Sequence, residues 1–331
     1  METKIFKKDE IPEAVELLKN GELVAFPTET VYGLGALATN EKAVKGVYAA
    51  KGRPSDNPLI VTVADEKMMA HFVENIPEHA QKLIDEFWPG PLTMILPAKE
   101  GSLPTAVTGG LPTAAFRCPN DELTHELISQ LGAPIVGPSA NTSTKPSPTT
   151  AEHVYHDLKG KIAGIIDNGP TEIGLESTII DLSVEEPIVL RPGEITPEDL
   201  AKVLGEKVLM NKGTTKTAGV PKAPGMKYRH YAPSAPVYIV DNEKDFNDIP
   251  QRDDIGVVAL DSVLDKIEAE NKFSLGKTID DAAHNLFNAL RFFDNQPDIK
   301  EIYVQGFSTG NISAAYMNRL NKSAAGHHFH N

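Results

Sequence analysis

The sequence predicts an α/β protein in two parts, a large twisted mixed sheet followed by a smaller Rossmann-like α/β domain at the C-terminal end. Three observations carry this. Short apolar runs that read as buried strands alternate, irregularly, with amphipathic helical segments as far as Gly137, which is the pattern of an α/β fold. Three more runs, at 162–166, 178–182 and 188–190, follow one another with no helix between them, which calls for antiparallel pairing and a mixed sheet. The pattern then lapses from 207 to 240 into a stretch rich in Gly, Pro, Thr and Lys, the composition of a linker. Beyond it, strands at 237–240, 255–260 and 301–304 and helices at 280–293 and 314–320 make a small α/β layer without a G-x-G-x-x-G turn. The boundaries expected are therefore 1–206, 207–234 and 235–331.

Bulk properties agree. The chain has 331 residues, 40% hydrophobic and 24% charged, ordinary globular usage and long enough for two cores. No apolar run approaches the ~20 residues of a membrane-spanning helix, and the start lacks the basic-then-apolar shape of a signal peptide, so a cytoplasmic protein with no membrane partner is expected. Cys118 is the single cysteine. It excludes an intrachain disulfide and reads as ordinary packing, although a thiolate beside Arg117 is the other reading. A formal net charge of -14 argues against a protein that coats nucleic acid.

Taken in order, residues 10–19 form a short amphipathic helix with Pro12 in its first turn and Gly21 just past its end. The run 23–26 is a buried strand stopped by Pro27, which delivers Thr28, Glu29 and Thr30 at its carboxyl end, where α/β folds place their sites. Gly33 and Gly35 read as tight turns. The segment 40–51 is a helix ended by Gly52, and Lys51, Arg53, Ser55 and Asn57 follow with Pro54 and Pro58 in a stiff extended segment. Two cations with hydroxyl and amide donors suit a polyphosphate; a solvated surface loop is the alternative. A strand at 59–63, helices at 65–73 and 78–87, a strand at 92–96 and a Gly/Pro/Thr-rich loop at 101–112 come next. A strand at 114–116 ends at Arg117, a helix spans 122–131, and a strand at 134–137 ends at Pro138-Ser139-Ala140-Asn141. Ser139 and Asn141 can point to one side, or serve as turn residues. No phosphate-binding loop of the G-x-x-x-x-G-K-[ST] kind, no kinase set and no H-E-x-x-H occurs.

PTETVYGLG at 27–35 and KGRPSDNPL at 51–59 resemble the Sua5/YrdC/YciO family. The resemblance recurs in order at WPGPLT (88–93), FRCP (116–119), PSAN (138–141), ESTIID (176–181), LRPGEIT (190–196) and PGMKYRHYAP (224–233), the last typical of the longer two-domain members. It implies a YrdC-type sheet with a concave site and a Sua5-type C-terminal domain. It also implies a reaction in which L-threonine, bicarbonate and ATP give threonylcarbamoyl-adenylate and pyrophosphate for t6A37 of tRNA. Mg2+ would accompany ATP, a downstream threonylcarbamoyl-transfer machinery would take the product, and tRNA would be engaged at most indirectly. The residues implied are Lys51 and Arg53 for catalysis, and Lys51, Arg53, Asn57, Thr113, Ser139, Asn141, Ser147, Arg191 and Tyr231 for ATP. Thr30, Thr62, Arg117 and Ser177 are implied for threonine, with no protein ligand to a metal. Glu176 reads as an exposed acid, a ligand for magnesium or an orienting carboxylate being the other reading.

Three departures bear on the shape of the threonine pocket. Thr62 stands where many members have His, Asn120-Asp121 replaces the usual pair after R-x-P, and Thr144 replaces a Gly. Two rival readings are an RNA-binding module without catalysis and a related enzyme with another carbamoyl-type acceptor, whose zinc-finger cysteines are absent here. Finally, residues 207–240 hold six Lys or Arg and no Asp or Glu, so a lid at 213–233 that settles on an anion is expected, a plain tether being the alternative.

Overall fold

The computed structural model describes residues 2–55, 57–211, 222, 230–308, 310 and 312–330. The expected lid lies outside them except for Lys222 and 230–233. The chain divides into two compact units, 1–143 with 148–171 and 176–227, and 144–147 with 172–175 and 228–331. Among the described residues no helix is long and apolar enough to cross a membrane.

In the first unit the strands are β1 (Lys4–Phe6), β2 (Val24–Phe26), β3 (Gly33–Leu37), β4 (Ile60–Thr62), β5 (Leu92–Pro97), β6 (Thr113–Arg117), β7 (Ile135–Val136), β8 (Gly164–Ile166), β9 (Thr178–Asp181), β10 (Ile188–Arg191) and β11 (Leu209–Met210). They form one sheet in the order β1-β8-β2-β3-β7-β4-β6-β5-β9-β10-β11. Parallel and antiparallel pairs are interspersed, so the mixed sheet is as expected. The antiparallel partner expected for 162–166 is not found, because β8 lies between β1 and β2 and runs parallel to both. β9 and β10 do pair antiparallel.

The helices are α1 (Ile11–Lys19), α2 (Glu41–Lys51), α3 (Glu66–Ala70), α4 (Glu78–Phe87), α5 (Thr105–Thr108), α6 (Glu122–Leu131), α7 (Ala151–Leu158) and α8 (Pro197–Leu204). Helix α2 begins where the Asn40 side chain accepts from the Ala43 N–H and stops at Gly52, whose φ of 64° only glycine adopts readily. The 101–112 loop holds the turn of α5, and the helix expected over 65–73 shrinks to α3.

Sheet coverage positions the site. One face carries Ala25, Leu34, Val61, Met94, Phe116 and Ile180 against α2, α4, α7 and α8. The other is covered by α1 and α6 only toward Val24, Phe26, Ile135 and Ile166. Over β4, β6, β5 and β9 that second face has just the small cluster Ile60, Ile95, Ala115 and Ile179, and polar residues surround it.

Gly33 and Gly35 lie in strand β3, not in a turn, and neither has a positive φ. Glycine is needed because the Phe26 ring lies across them. A methyl at Gly33 would fall within the ring, and one at Gly35 would stand 2.7 Å from the Val24 carbonyl oxygen and 3.2 Å from Phe26 Cδ1. Gly33→Ala is therefore expected to destabilise the protein by about 1–3 kcal/mol, read as a lower urea midpoint. An unchanged midpoint would mean that the ring moves aside without loss.

The second unit has four parallel strands, β12 (Val237–Val240), β13 (Ile255–Ala259), β14 (Asn271–Ser274) and β15 (Glu301–Gln305), in the order β12-β15-β13-β14. Its helices are α9 (Asp261–Leu264), α10 (Ile279–Asp294) and α11 (Ile312–Ser323). β14 escapes the sequence reading because half of its residues are exposed and polar, as an edge strand allows. Within this unit Arg291 Nη2 donates to the Pro146 carbonyl at 2.6 Å and Nε to that of Ser147 at 3.3 Å. Burial alone would raise the Asp294 carboxyl. Lys145 at 2.8 Å and the Ser234 N–H outweigh it and hold the group below its ordinary value. Ser147 is fully buried here, and Tyr231, at a left-handed φ of 63°, packs its ring 5.1 Å from that of Phe287.

Candidate active site

The register of the large sheet sets Thr62 of β4, Arg117 of β6, Thr93 of β5, Ile179 of β9 and Arg191 of β10 side by side in one row. Residues paired directly across strands point to the same face, so this row brings together side chains far apart in sequence.

Arg117 is the centre of one group. Its Nη1 donates to Thr30 Oγ1 at 2.7 Å, its Nη2 to Glu29 Oε2 at 2.5 Å, and its Nε to the Gly90 carbonyl at 3.4 Å. Thr28 closes the turn after β2, its hydroxyl 2.9 Å from that of Thr30 and accepting the Thr30 and Val31 N–H groups. A second group lies farther along the row. Ser177 Oγ is 2.8 Å from Thr93 Oγ1 and accepts from Arg191 Nη2 at 3.1 Å, while Arg191 Nε donates to the Ser177 carbonyl at 3.0 Å. Thr62, 3% exposed, sits beside Arg117, and Gly137 leaves room for it: a methyl there would come 2.5 Å from Thr62 Oγ1.

Lys51 organises a third group. Its ammonium, 2% exposed, donates to the carbonyls of Ser139 and of Asn141, the latter at 2.7 Å, with Asn141 Oδ1 at 3.4 Å. Ser139 in turn bridges Gly33, and the Ala140 N–H donates to the Tyr32 carbonyl. The PSAN loop thus runs beside the segment that carries Thr30.

Lys51 and Arg53 do not share an extended segment. Lys51 is the last residue of α2 and is turned inward. Arg53 lies beyond the left-handed Gly52, with its guanidinium 5.9 Å from the centre of the Tyr48 ring and Nη2 donating to the carbonyls of Asn57 and Pro58 at 3.3 and 3.2 Å. Arg53 and Ser55 line a groove of about 730 Å³ with Glu41, Lys45, Tyr48 and Thr105. Asn57 is 1% exposed, and neither its Oδ1 nor its Nδ2 meets a partner among the described residues. A buried primary amide in that state is a ready ligand contact.

Thr113 is on the same face of β6 as Arg117 but at the opposite end of the strand, paired with Pro97, roughly 13 Å away at strand spacing. Ser147 and Tyr231 belong to the second unit. Glu176 is buried, not exposed. Of two further partners in these networks, Glu29 is given a place at the end of β2 by the sequence but no role, and Thr93 is not among the sequence candidates. An acid between two threonines at the end of a buried strand is the signal for Glu29; Thr93 gives none until its register is known.

Cys118, next to Arg117, is turned away toward the Ala64 carbonyl at 3.2 Å and His125 Nε2 at 3.7 Å. Burial pushes its thiol up to about 12, so packing is the correct reading. Iodoacetamide at pH 8 should leave the native protein unmodified and alkylate it in denaturant. Equal rates in both would place a thiolate there.

With this geometry, comparison with known proteins is decisive. Residues 16–193 match the family model for Sua5, YciO and YrdC proteins, described as telomere recombination, and 195–325 match one described as the threonylcarbamoyl-AMP synthase C-terminal domain. The chain belongs to the Sua5/YciO/YrdC family. It is 45% identical over 323 residues to the threonylcarbamoyl-AMP synthase of Pyrococcus abyssi, covering 94% of this chain and 93% of that one. It is likewise 45% identical over 328 residues to the enzyme of that name from Bacillus subtilis, covering 96% and 93%. Among solved structures, P. abyssi Sua5 complexed with L-threonine superposes with a TM-score of 0.91 at 42% identity, covering 99% of this chain and all of that one. The YrdC-type sheet and the Sua5-type second domain that the sequence implies are the family's own.

Proposed function

We propose that this chain is a threonylcarbamoyl-AMP synthase. The observation that carries the reading is the buried row in which Arg117 and Thr30 stand beside Thr62 and, two strands on, Ser177 with Arg191. Such a row offers a guanidinium for a carboxylate and hydroxyls for a small polar side chain. Full-length likeness to enzymes of that name supports it. In the reaction the threonine amine takes up bicarbonate with loss of water, giving an N-carboxy group. That group's oxygen attacks the α-phosphorus of ATP, and pyrophosphate leaves.

The chain's own residues bind and orient. Arg117, Thr30, Thr62 and Ser177 hold threonine; Lys51, Arg53, Asn57, Ser139, Asn141 and Arg191 serve ATP, where positioned donors and cations are most of what phosphoryl chemistry requires. Magnesium enters with ATP as part of the substrate. The product would pass in the cytoplasm to the machinery that modifies tRNA.

Pyrophosphate release should require threonine and bicarbonate together, followed with ATP and magnesium and each amino acid in turn. Equal release after bicarbonate is removed would end this reading.

A further inference from the structure

We propose that Glu29 recognises the α-ammonium of the amino-acid substrate, so that Glu29 and Arg117 together read a zwitterion. The assignment rests on the threonine-using activity proposed above and adds a residue to it. Glu29 follows β2 and is held between two threonines, its side chain 3% exposed. Oε2 receives the Arg117 guanidinium at 2.5 Å, whereas Oε1 is buried and meets no donor among the described residues. A carboxylate oxygen is costly to bury without a donor. Holding Arg117 in place would explain Oε2 and leaves Oε1 unexplained.

Charge identifies the missing donor. Among the described residues Glu29 is the one acid paired with Arg117, so the pair is neutral overall. A simple carboxylate arriving at Arg117 would leave an excess negative charge in a buried place. An α-amino acid brings its own cation: the carboxylate meets the guanidinium and the ammonium meets Oε1, so opposite charges alternate around the group. The ammonium has three donors, and the Thr30 hydroxyl beside Glu29, which takes one donor from Arg117 and gives its own hydrogen to Thr28, keeps an acceptor position for a second. Glu29 therefore makes the subsite selective for amino acids over hydroxy acids of the same shape.

Calorimetric titration of the wild type and of Glu29→Gln, each with L-threonine and with 3-hydroxybutanoate, tests this. The second ligand keeps the carboxylate and the hydroxyl and lacks the nitrogen. The wild type should prefer threonine, and Glu29→Gln should lose about ten- to a hundred-fold of its affinity for threonine while binding 3-hydroxybutanoate no more weakly than the wild type, since the buried site then carries one negative charge fewer. Equal weakening of both ligands would overturn the assignment, since Glu29 would then act only through Arg117; so would undiminished threonine binding. Should Glu29→Gln fail to fold, Glu29→Asp provides the same ratio, and an unchanged preference in it overturns the proposal. A wild type that does not bind threonine would bring down the proposed activity as well, a result distinct from a wild type that binds it and a variant that binds it equally.

Discussion

Arg117→Ala is expected to cut the use of threonine about ten- to a hundred-fold while ATP binding survives. Initial rates against threonine, with nucleotide affinity measured separately, are the check. The structure adds a second effect. Arg117 is 8% exposed and is the counter-ion of a buried glutamate, and leaving one half of such a pair alone costs about 3–5 kcal/mol of stability. The two effects separate in the double variant Arg117→Ala/Glu29→Gln, which should recover much of the lost stability and none of the threonine use. Arg117→Lys should fail too, because one ammonium cannot reproduce the fork that reaches Thr30 and Glu29 at once. Loss of ATP with threonine use intact would invert the two subsites.

Lys51→Ala should lower turnover by about 10²–10³-fold, the scale for removing one preorganised donor from a reacting centre. In this fold the loss has a particular route. The Lys51 ammonium fastens the carbonyls of Ser139 and Asn141, so its removal releases the loop that carries two proposed ATP contacts and leaves buried acceptors unsatisfied, each at about 1–3 kcal/mol. Arg53→Ala should behave differently. Half-buried beside an open groove, it should lose turnover with stability changed by about 0.5 kcal/mol or less. Threonine affinity without ATP should hardly change in either variant. Unaltered rates in both would return the pair to an ordinary loop role.

How much of this was legible in the sequence depended on what each residue answers to. Helix limits were readable because local chemistry sets them: Asn40 and Gly52 bracket α2, and Asp121 and Gly132 bracket α6. Arg117 was readable as the polar end of an apolar run. Lys51 was readable as a candidate but not in its orientation, because its partners lie about ninety residues downstream. The row from Thr62 to Arg191 is a product of strand register, and Thr93 enters it only because β5 lies between β6 and β9. Gly33 and Gly35 were misread as turns because local sequence allows for a flexible backbone and does not register an aromatic ring arriving from the neighbouring strand.

That ring also constrains how the protein can change over time. Phe26 stands against Gly33, Gly35 and Gly137, and Gly137 stands against Thr62, so substitutions at these positions are acceptable only in certain orders. Alanine at 33 arriving first meets the ring and loses stability, whereas after Phe26→Leu the same methyl enters vacated space and restores contact. The two histories end at the same sequence and differ in what lies between. An aromatic at 26 thus acts as a ratchet: while it is present, three glycines, two in β3 and one just past β7, are held in place, and a larger residue at position 137 would be paid for directly at Thr62.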